Sequence, residues 1–444
     1  MNFIFIMSDS FRFDNLACNT KRYPRFRAPK REVMTPHLDR FAERATIFER
    51  SYVGSYPTVQ NRTDLFTGKM LPVNSWAPLG KDQTTFALAL KKAGYWNQMI
   101  QDTPHTLKRG FHFDRDFDGW EWIRGQEGDN FGAEPVKEPG DPRKTRQNGA
   151  WGRHLGNIAV IRHCEQDYFC AQTMTRAVQW LERNYKKDKF FLYVDTFDPH
   201  EPWDAPQWYE DLYDPGYKGI AYRYPIYGKA STYTKAELAH MRASYAAEAT
   251  LVDRWAGFLL ESVERMGLME NTCVIFTADH GICIGDHGWT GKNAPPMYEE
   301  IARQPLLIHL PGQTASRRVK ALVQPVDVSA TILDLAGLKR PASFDGVSLK
   351  PALLGKPLKT RPYAFTRGNG APSIASQDWS LVYPVRKEKS KSAAAPELFH
   401  LAADPAQTKD VLKKNLPRAR KMWDAFAAWL AKADTDAAQV CSRP

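Results

Sequence analysis

Three short apolar runs constrain this chain more than any other feature, because each leads directly into acidic or histidine residues. Phe3-Ile4-Phe5-Ile6-Met7 runs into Ser8-Asp9-Ser10. Phe190-Phe191-Leu192-Tyr193-Val194 runs into Asp195 to His200, and Cys273-Val274-Ile275-Phe276 into Thr277-Ala278-Asp279-His280. Apolar runs this short and continuous suit strands buried on both faces, as in a parallel sheet. Helical patterns lie between them. Thr35-Pro36 opens one with a cap and a first-turn proline, and Leu38, Phe41, Ala42 and Ala45 follow at helical spacing. Residues 84–93 form another, stopped by Gly94, and 168–185, 235–266 and 327–336 read as helices too. Strand alternating with helix predicts a doubly wound α/β sheet with helices on both faces. In such sheets ligands sit beyond the carboxyl ends of the strands, which is where all three polar clusters fall.

Composition narrows the class. With 43% hydrophobic residues among 444, the chain can bury a large core, which excludes disorder as its main state. The apolar runs fall far short of the roughly 18 residues that a membrane span needs, so no membrane partner is expected. Six scattered cysteines without a Cys-x-x-Cys pair give neither a disulfide framework nor a zinc ribbon. The start, Met1-Asn2-Phe3, shows no basic leader region, so a reducing, cytoplasmic location is expected. A net charge of +11 either attracts an anionic substrate or simply solubilises the surface. The only basic tract, Arg386-Lys387-Glu388-Lys389-Ser390-Lys391, reads as a solvated loop, so no nucleic-acid partner is expected. Residues 124–157, rich in Gly, Pro and charge, and 201–233, rich in Trp and Tyr, read as insertions. They either wall a substrate pocket or pack as ordinary loops. From about residue 360 the pattern changes to a strand near 379–383, a basic loop and an amphipathic helix over 416–431. This divides the chain into a main domain, 1–358, and a small C-terminal α+β subdomain, 359–444. Oligomeric state has no signature in the sequence.

Several polar residues suit catalysis. Asp279-His280-Gly281 just past a strand offers two metal ligands, with a glycine that lets backbone approach closely; read alone, the triplet is more often a turn. Asp9 supplies an oxygen ligand, and Ser10 beside it is a poorer one. His200, between Pro199 and Pro202, is placed as a general acid or as a structural histidine. Thr58 followed four residues later by Arg62 puts a hydroxyl and a cation at one helix N-terminus, an end that favours anions; the alternative is a cap with a surface arginine.

In this order the motifs resemble the sulfatase family of the alkaline phosphatase superfamily. Thr35-Pro36-His37-Leu38-Asp39-Arg40 is similar to its Thr-Pro-Asn-Leu-Asp segment, and 58–68 to its Cys/Ser-x-Pro-x-Arg…Thr-Gly signature. Asp198-Pro199-His200, Asp279-His280-Gly281, Gly285-Asp286-His287-Gly288 and Lys292 follow in the family's sequence. The resemblance implies a sandwich with a large mixed, mostly parallel sheet flanked by helices. It further implies one divalent metal, calcium or manganese before zinc, on Asp9, Asp279 and His280. Thr58 then stands at the nucleophile position with Arg62 supporting it, and His200 and Lys292 contact the ester and its leaving group.

The departures from the family pattern set the chemistry. Active sulfatases convert Cys or Ser to formylglycine, whereas oxidation of Thr58 would leave a ketone, so no formylglycine is expected. Gln60 replaces a proline, and Ser10 replaces an aspartate. Asp102-Thr103-Pro104-His105 replaces Gly-Lys-Trp-His, which removes a sulfate-gripping lysine, keeps His105 and leaves Thr103 beside it. The first reading is therefore a metal-dependent hydrolase of a phosphodiester or phosphonate monoester. Unmodified Thr58 is its nucleophile, acidified by the metal, and His200 or His287 carries protons. The alternatives are a sulfatase working without formylglycine, and a pseudo-enzyme that binds a small anionic ester without cleaving it.

Overall fold

The computed structural model describes residues 1–70, 76–132, 134–359, 361–368, 371–384, 395–432 and 440–444. In it the three apolar runs lie side by side at the centre of one sheet. Asn2–Ser8 pairs in parallel with Phe190–Thr196 on one side and Thr272–Ala278 on the other. The eight described strands run in the order Arg317–Val323, Thr46–Ser51, Leu306–His309, Thr272–Ala278, Asn2–Ser8, Phe190–Thr196, Trp96–Gln101, Gly119–Trp122. Only Leu306–His309 runs against its neighbours, so the sheet is mixed and mostly parallel.

The apolar runs are continuous because both sheet faces are covered. Phe3, Phe5 and Met7 pack on one side with Val59, Phe66 and Phe86; Ile4 and Ile6 pack on the other with Phe169, Leu251 and Leu259. Each such side chain, fully buried, contributes roughly 1.5–3 kcal/mol. The long helix Lys235–Arg265 starts where Thr234 and Glu237 cap each other, Thr234 N–H donating to Glu237 at 2.7 Å and Glu237 N–H to Thr234 Oγ1 at 3.2 Å. Thr85 caps Phe86–Lys92 by accepting from Leu88 N–H. The helix expected from 327 begins two residues earlier, at Pro325. Proline is pre-set for the first turn, and Asp327 turns back to accept from the Gln324 N–H at 2.9 Å.

A four-stranded antiparallel sheet, Ala364–Thr366, Ser373–Ala375, Trp379–Val382 and Glu397–His400, forms the smaller C-terminal unit. The helix Leu416–Ala431 covers it, presenting Ala419, Met422, Phe426 and Leu430 to Ile374, Leu381 and Leu398. The basic tract Arg386–Lys391 lies outside the described residues. No helix among the described residues is long and apolar enough to cross a membrane. The two expected insertions divide in role. Trp203, Tyr213, Tyr222 and Tyr233 join the core, while residues 150–161 form a helix of their own.

Candidate active site

Strand register assembles the site. Met7 lies opposite Asp195, Ser8 opposite Thr196 and Ser8 opposite Ala278, so Asp9, Asp195 and Asp279 leave the sheet at one edge. Ligand atoms of Asp9, Asp279 and His280 all lie within 4.8 Å of one another, and all three residues are buried. His280 Nδ1–H donates to the Gly281 carbonyl at 2.9 Å, which leaves the Nε2 lone pair for a cation. Burial first, and Lys292 second, hold the His280 pKa down to about 3, so the ring is the neutral form that a metal requires. Gly281 has to be glycine: a Cβ there would run into the Glu300 carbonyl.

Arg62, fully buried in the helix Thr58–Thr67, neutralises this edge. Its Nε and Nη2 each donate to Asp195 at 2.7 Å. Nη1 donates to Asp279 at 2.7 Å, to Asp9 at 3.2 Å and to the Thr58 carbonyl at 3.2 Å. Burial alone would push its pKa down, but Asp195 and Asp279 hold it well above the ordinary arginine value. Arg62 is therefore occupied by protein carboxylates, and its geometry is that of a brace which ties Thr58, the first residue of its helix, to the acidic edge. Asn61 adds a second tie, its amide donating to the Asp279 carbonyl at 2.9 Å.

The other sequence-selected residues divide into two groups. Lys292 Nζ joins the centre, 3.4 Å from Ser10 Oγ, 3.5 Å from His280 Nε2 and 3.6 Å from Asp9 Oδ1. Tyr56 O–H holds that segment by donating to the Lys292 carbonyl at 2.6 Å. Ser10, at φ 60°, donates its backbone N–H to Asp279 and its hydroxyl to Asp9, each at 3.0 Å. Thr103 donates to Asp195 at 3.0 Å. His200 stacks on Phe197 with centroids 3.9 Å apart, and its Nδ1–H donates to the Glu201 carbonyl at 2.5 Å, so its Nε2 bears the lone pair. Burial, then Lys292, pushes the His200 pKa well below the usual histidine value. His105 stands one step out, 3.2 Å from Glu127 and 5.3 Å from the Phe197 ring. His287 is not brought in: its Nε2 is 3.1 Å from Glu300 and its ring stacks on Tyr298 at 3.8 Å, in a separate cluster anchored by Arg12.

Sequence reading missed Asp195, Glu201 and Glu127 as individual functional candidates. Asp195 carried a signal, since it directly follows the second apolar run. Glu201 is fully buried beside His200, with Arg146 donating to its Oε1 at 2.9 Å and Tyr227 also bonded there; no local pattern marks it.

The donor set fits a divalent cation. Two hard carboxylates and one borderline imidazole converge, and three buried carboxylates (Asp9, Asp195, Asp279) face two cations (Arg62, Lys292), which leaves one negative charge uncompensated. The family model described as "Sulfatase" matches residues 1–338. The chain belongs to the sulfatase family. It is thereby a hydrolase of the sulfatase/alkaline-phosphatase superfamily that acts on an anionic ester. A second model, "N-sulphoglucosamine sulphohydrolase, C-terminal", matches residues 285–422. This sulfatase-family chain is 24% identical to an arylsulfatase of Clostridium perfringens, covering 93% of this chain and 90% of that one. It is also 24% identical to an N-acetylglucosamine-6-O-sulfatase of Bacteroides thetaiotaomicron, covering 93% and 83%. In fold it is similar to the phosphonate monoester hydrolase of Agrobacterium radiobacter, with a TM-score of 0.73 at 20% identity over 98% of this chain and 96% of that one. A protein solved with its substrate D-glucosamine-2-N,6-O-disulfate superposes with a TM-score of 0.68 at 20% identity over 97% of each chain.

Proposed function

We propose that this sulfatase-family hydrolase cleaves a singly charged ester, in the first place a sulfate ester of a sugar or an aromatic alcohol, with unmodified Thr58 as nucleophile. The charge tally of the buried edge carries the reading. One residual negative charge plus a divalent cation on Asp9, Asp279 and His280 leaves a single positive charge, which matches a monoanion better than a phosphate monoester dianion. The sulfatases among its relatives support sulfur over phosphorus. A metal held there acidifies a hydroxyl and draws charge from the ester oxygens.

The chain's own residues supply the rest. Arg62, Asn61 and the helix N-terminus fix Thr58 against the acidic edge. His200 is neutral and offers Nε2, so it acts first as a base: it takes the Thr58 proton as the Thr58 oxygen bonds to sulfur and the sulfur–alkoxide bond breaks. Lys292 offsets the negative charge that develops on the departing alkoxide oxygen, and the same proton then passes from His200 to that oxygen, so that it leaves as the neutral alcohol. Water then attacks the sulfur of the sulfated threonine and gives a proton to His200 as the sulfur–Thr58 oxygen bond breaks; hydrogensulfate leaves, and His200 returns the proton to the Thr58 oxygen. Phosphodiesters and phosphonate monoesters, also monoanions, are the second reading, favoured by Thr58 itself, since direct hydroxyl attack needs no aldehyde.

Initial rates on p-nitrophenyl sulfate, bis(p-nitrophenyl) phosphate and p-nitrophenyl phenylphosphonate, with calcium or manganese, separate these readings. Sulfate turnover abolished by Thr58→Ala supports the first. Turnover of phosphorus esters alone replaces it with the second, and turnover of neither, with any metal, removes both.

A further inference from the structure

The outer end of the main sheet borders a cavity of about 390 Å³ that shares no lining residue with the centre. Its walls come from the last two strands, Thr46–Ser51 and Arg317–Val323, from the turn that follows Ala17–Asn19, and from the loop that enters Trp379–Val382 in the C-terminal unit. Tyr23 in its wall bonds to Glu300, which places the cavity against the Arg12 cluster rather than against the metal ligands.

Six cations line it against three carboxylates, Glu49, Glu299 and Asp378. Two of the carboxylates are satisfied within the wall. Arg318 Nε donates to Glu49 at 2.8 Å; Arg303 Nη1 lies 3.6 Å from Glu299, and its Nη2 donates to the Glu49 carbonyl at 2.5 Å. Asp378 acts on Arg50 without touching it, and Arg50 reaches only the Tyr52 hydroxyl, at 3.4 Å. Lys21, Arg22 and Lys320 are left over. All three are exposed, and among the described residues their charged ends make no hydrogen bond or ion pair and lie over no aromatic ring. A buried donor accompanies them. Asn19 is only 6% exposed, yet its carboxamide bonds to none of the described residues; the oxygen is the enclosed end, so the N–H₂ is free to donate. A surplus of like charge around a confined space is self-repelling, and a bound counter-ion of the same charge removes that repulsion.

We propose that this cavity binds a diphosphate group, free or carried on a nucleotide, held by Lys21, Arg22 and Lys320 with the Asn19 amide as a further donor. A diphosphate supplies the matching number of negative charges. Its tetrahedral oxygens accept from cations that arrive from separate segments, which the planar carboxylates of a comparable acid do less well, and an arginine fork fits two of them. The site needs neither the metal ligands nor the reaction at Thr58.

Calorimetry on the full-length protein tests it with pyrophosphate, ADP and citrate, the last a trianion without phosphorus, in metal-free buffer so that no free cation competes for the probes. Lys21→Ala/Arg22→Ala is expected to weaken pyrophosphate binding about tenfold or more, and Lys320→Ala to weaken it in the same direction. Lys413→Ala/Lys414→Ala, a charge-matched change on exposed lysines of the C-terminal unit, and Lys292→Ala, which removes a cation of the centre, are expected to leave pyrophosphate binding unchanged. Hydrogen exchange in the presence of pyrophosphate is expected to slow over residues 19–23 and 317–322 and not over 279–281. ADP binding as tight as pyrophosphate assigns the site to nucleotides, and weaker ADP binding assigns it to free diphosphate. No binding, equal loss in Lys413→Ala/Lys414→Ala, a loss in Lys292→Ala as large as in the cavity variants, or citrate binding as tight as pyrophosphate overturns the proposal. Turnover of p-nitrophenyl esters reports separately on the centre, so failure of this site and failure of the proposed activity are distinguishable.

Discussion

Two buried arginines follow the opening strand in space, and they organise the same kind of residue to opposite ends. Arg62 grips Asp195 with two bonds and touches Asp9 and Asp279; Arg12 grips Asp14 with two bonds and touches Asp286. In both, carboxylates overcome burial and hold the guanidinium well above the ordinary arginine value. The difference lies in what remains unused. Around Arg12 the set is closed, with Asp286 also accepting from Ile284 N–H at 2.7 Å and lying 3.6 Å from Arg242, and Glu300 binding His287 and Tyr23. Around Arg62, oxygens of Asp9 and Asp279 and the Nε2 of His280 still converge on one point. Buried charge is structural where it is mutually satisfied, and it becomes a site where ligand capacity is left over.

That contrast is sharpest in substitutions. Arg62→Met and Arg12→Met each strand buried carboxylates, and each is expected to cost about 3–5 kcal/mol in denaturant unfolding. Only Arg62→Met is expected to abolish turnover in the molecules that remain folded; comparable activity losses per folded molecule would erase the distinction. Thr58→Ala is expected to lower kcat by at least ~10³-fold with little change in unfolding midpoint. Metal content separates the clusters directly. Asp279→Asn is expected to lose bound calcium or manganese in elemental analysis, and Asp14→Asn to keep it.

The pH profile sharpens the account further. The proposed mechanism uses His200 as a neutral base, and its pKa is depressed, so activity is expected to persist as pH falls through about 6.5 and to decline only below it. An acid limb at or above that value in kcat/KM would contradict the proton role. The smallest effect is expected from His287→Phe, a change of under about threefold in kcat, because its ring is committed to Glu300 and Tyr298.

The same contrast explains what the sequence revealed. Asp9, Asp279 and His280 were legible because each directly follows an apolar run, and strand register then sets them level. The order of strands and helices, and the helix Leu416–Ala431, were legible from periodicity for the same local reason. Arg62 was legible as a cation four residues from Thr58, but its role as counter-ion was not, because Asp195 and Asp279 lie 133 and 217 residues away in the chain. His287 looked catalytic beside Asp286 and Gly288, and only tertiary packing shows Glu300 taking its ring. Glu127 and Glu201 sit in segments without periodicity, and their meaning comes from partners such as Tyr224, Arg146 and Tyr227 that arrive from other loops.

Acid quench of the metal-loaded protein during turnover, followed by peptide mass spectrometry, tests the central claim most directly. The account predicts unaltered threonine at position 58 in the resting protein and a sulfuryl group on Thr58 in the quenched sample, or a phosphoryl group if phosphorus esters are the substrate. Turnover that survives Thr58→Ala, with no adduct on the Thr58 peptide of wild type, would contradict it.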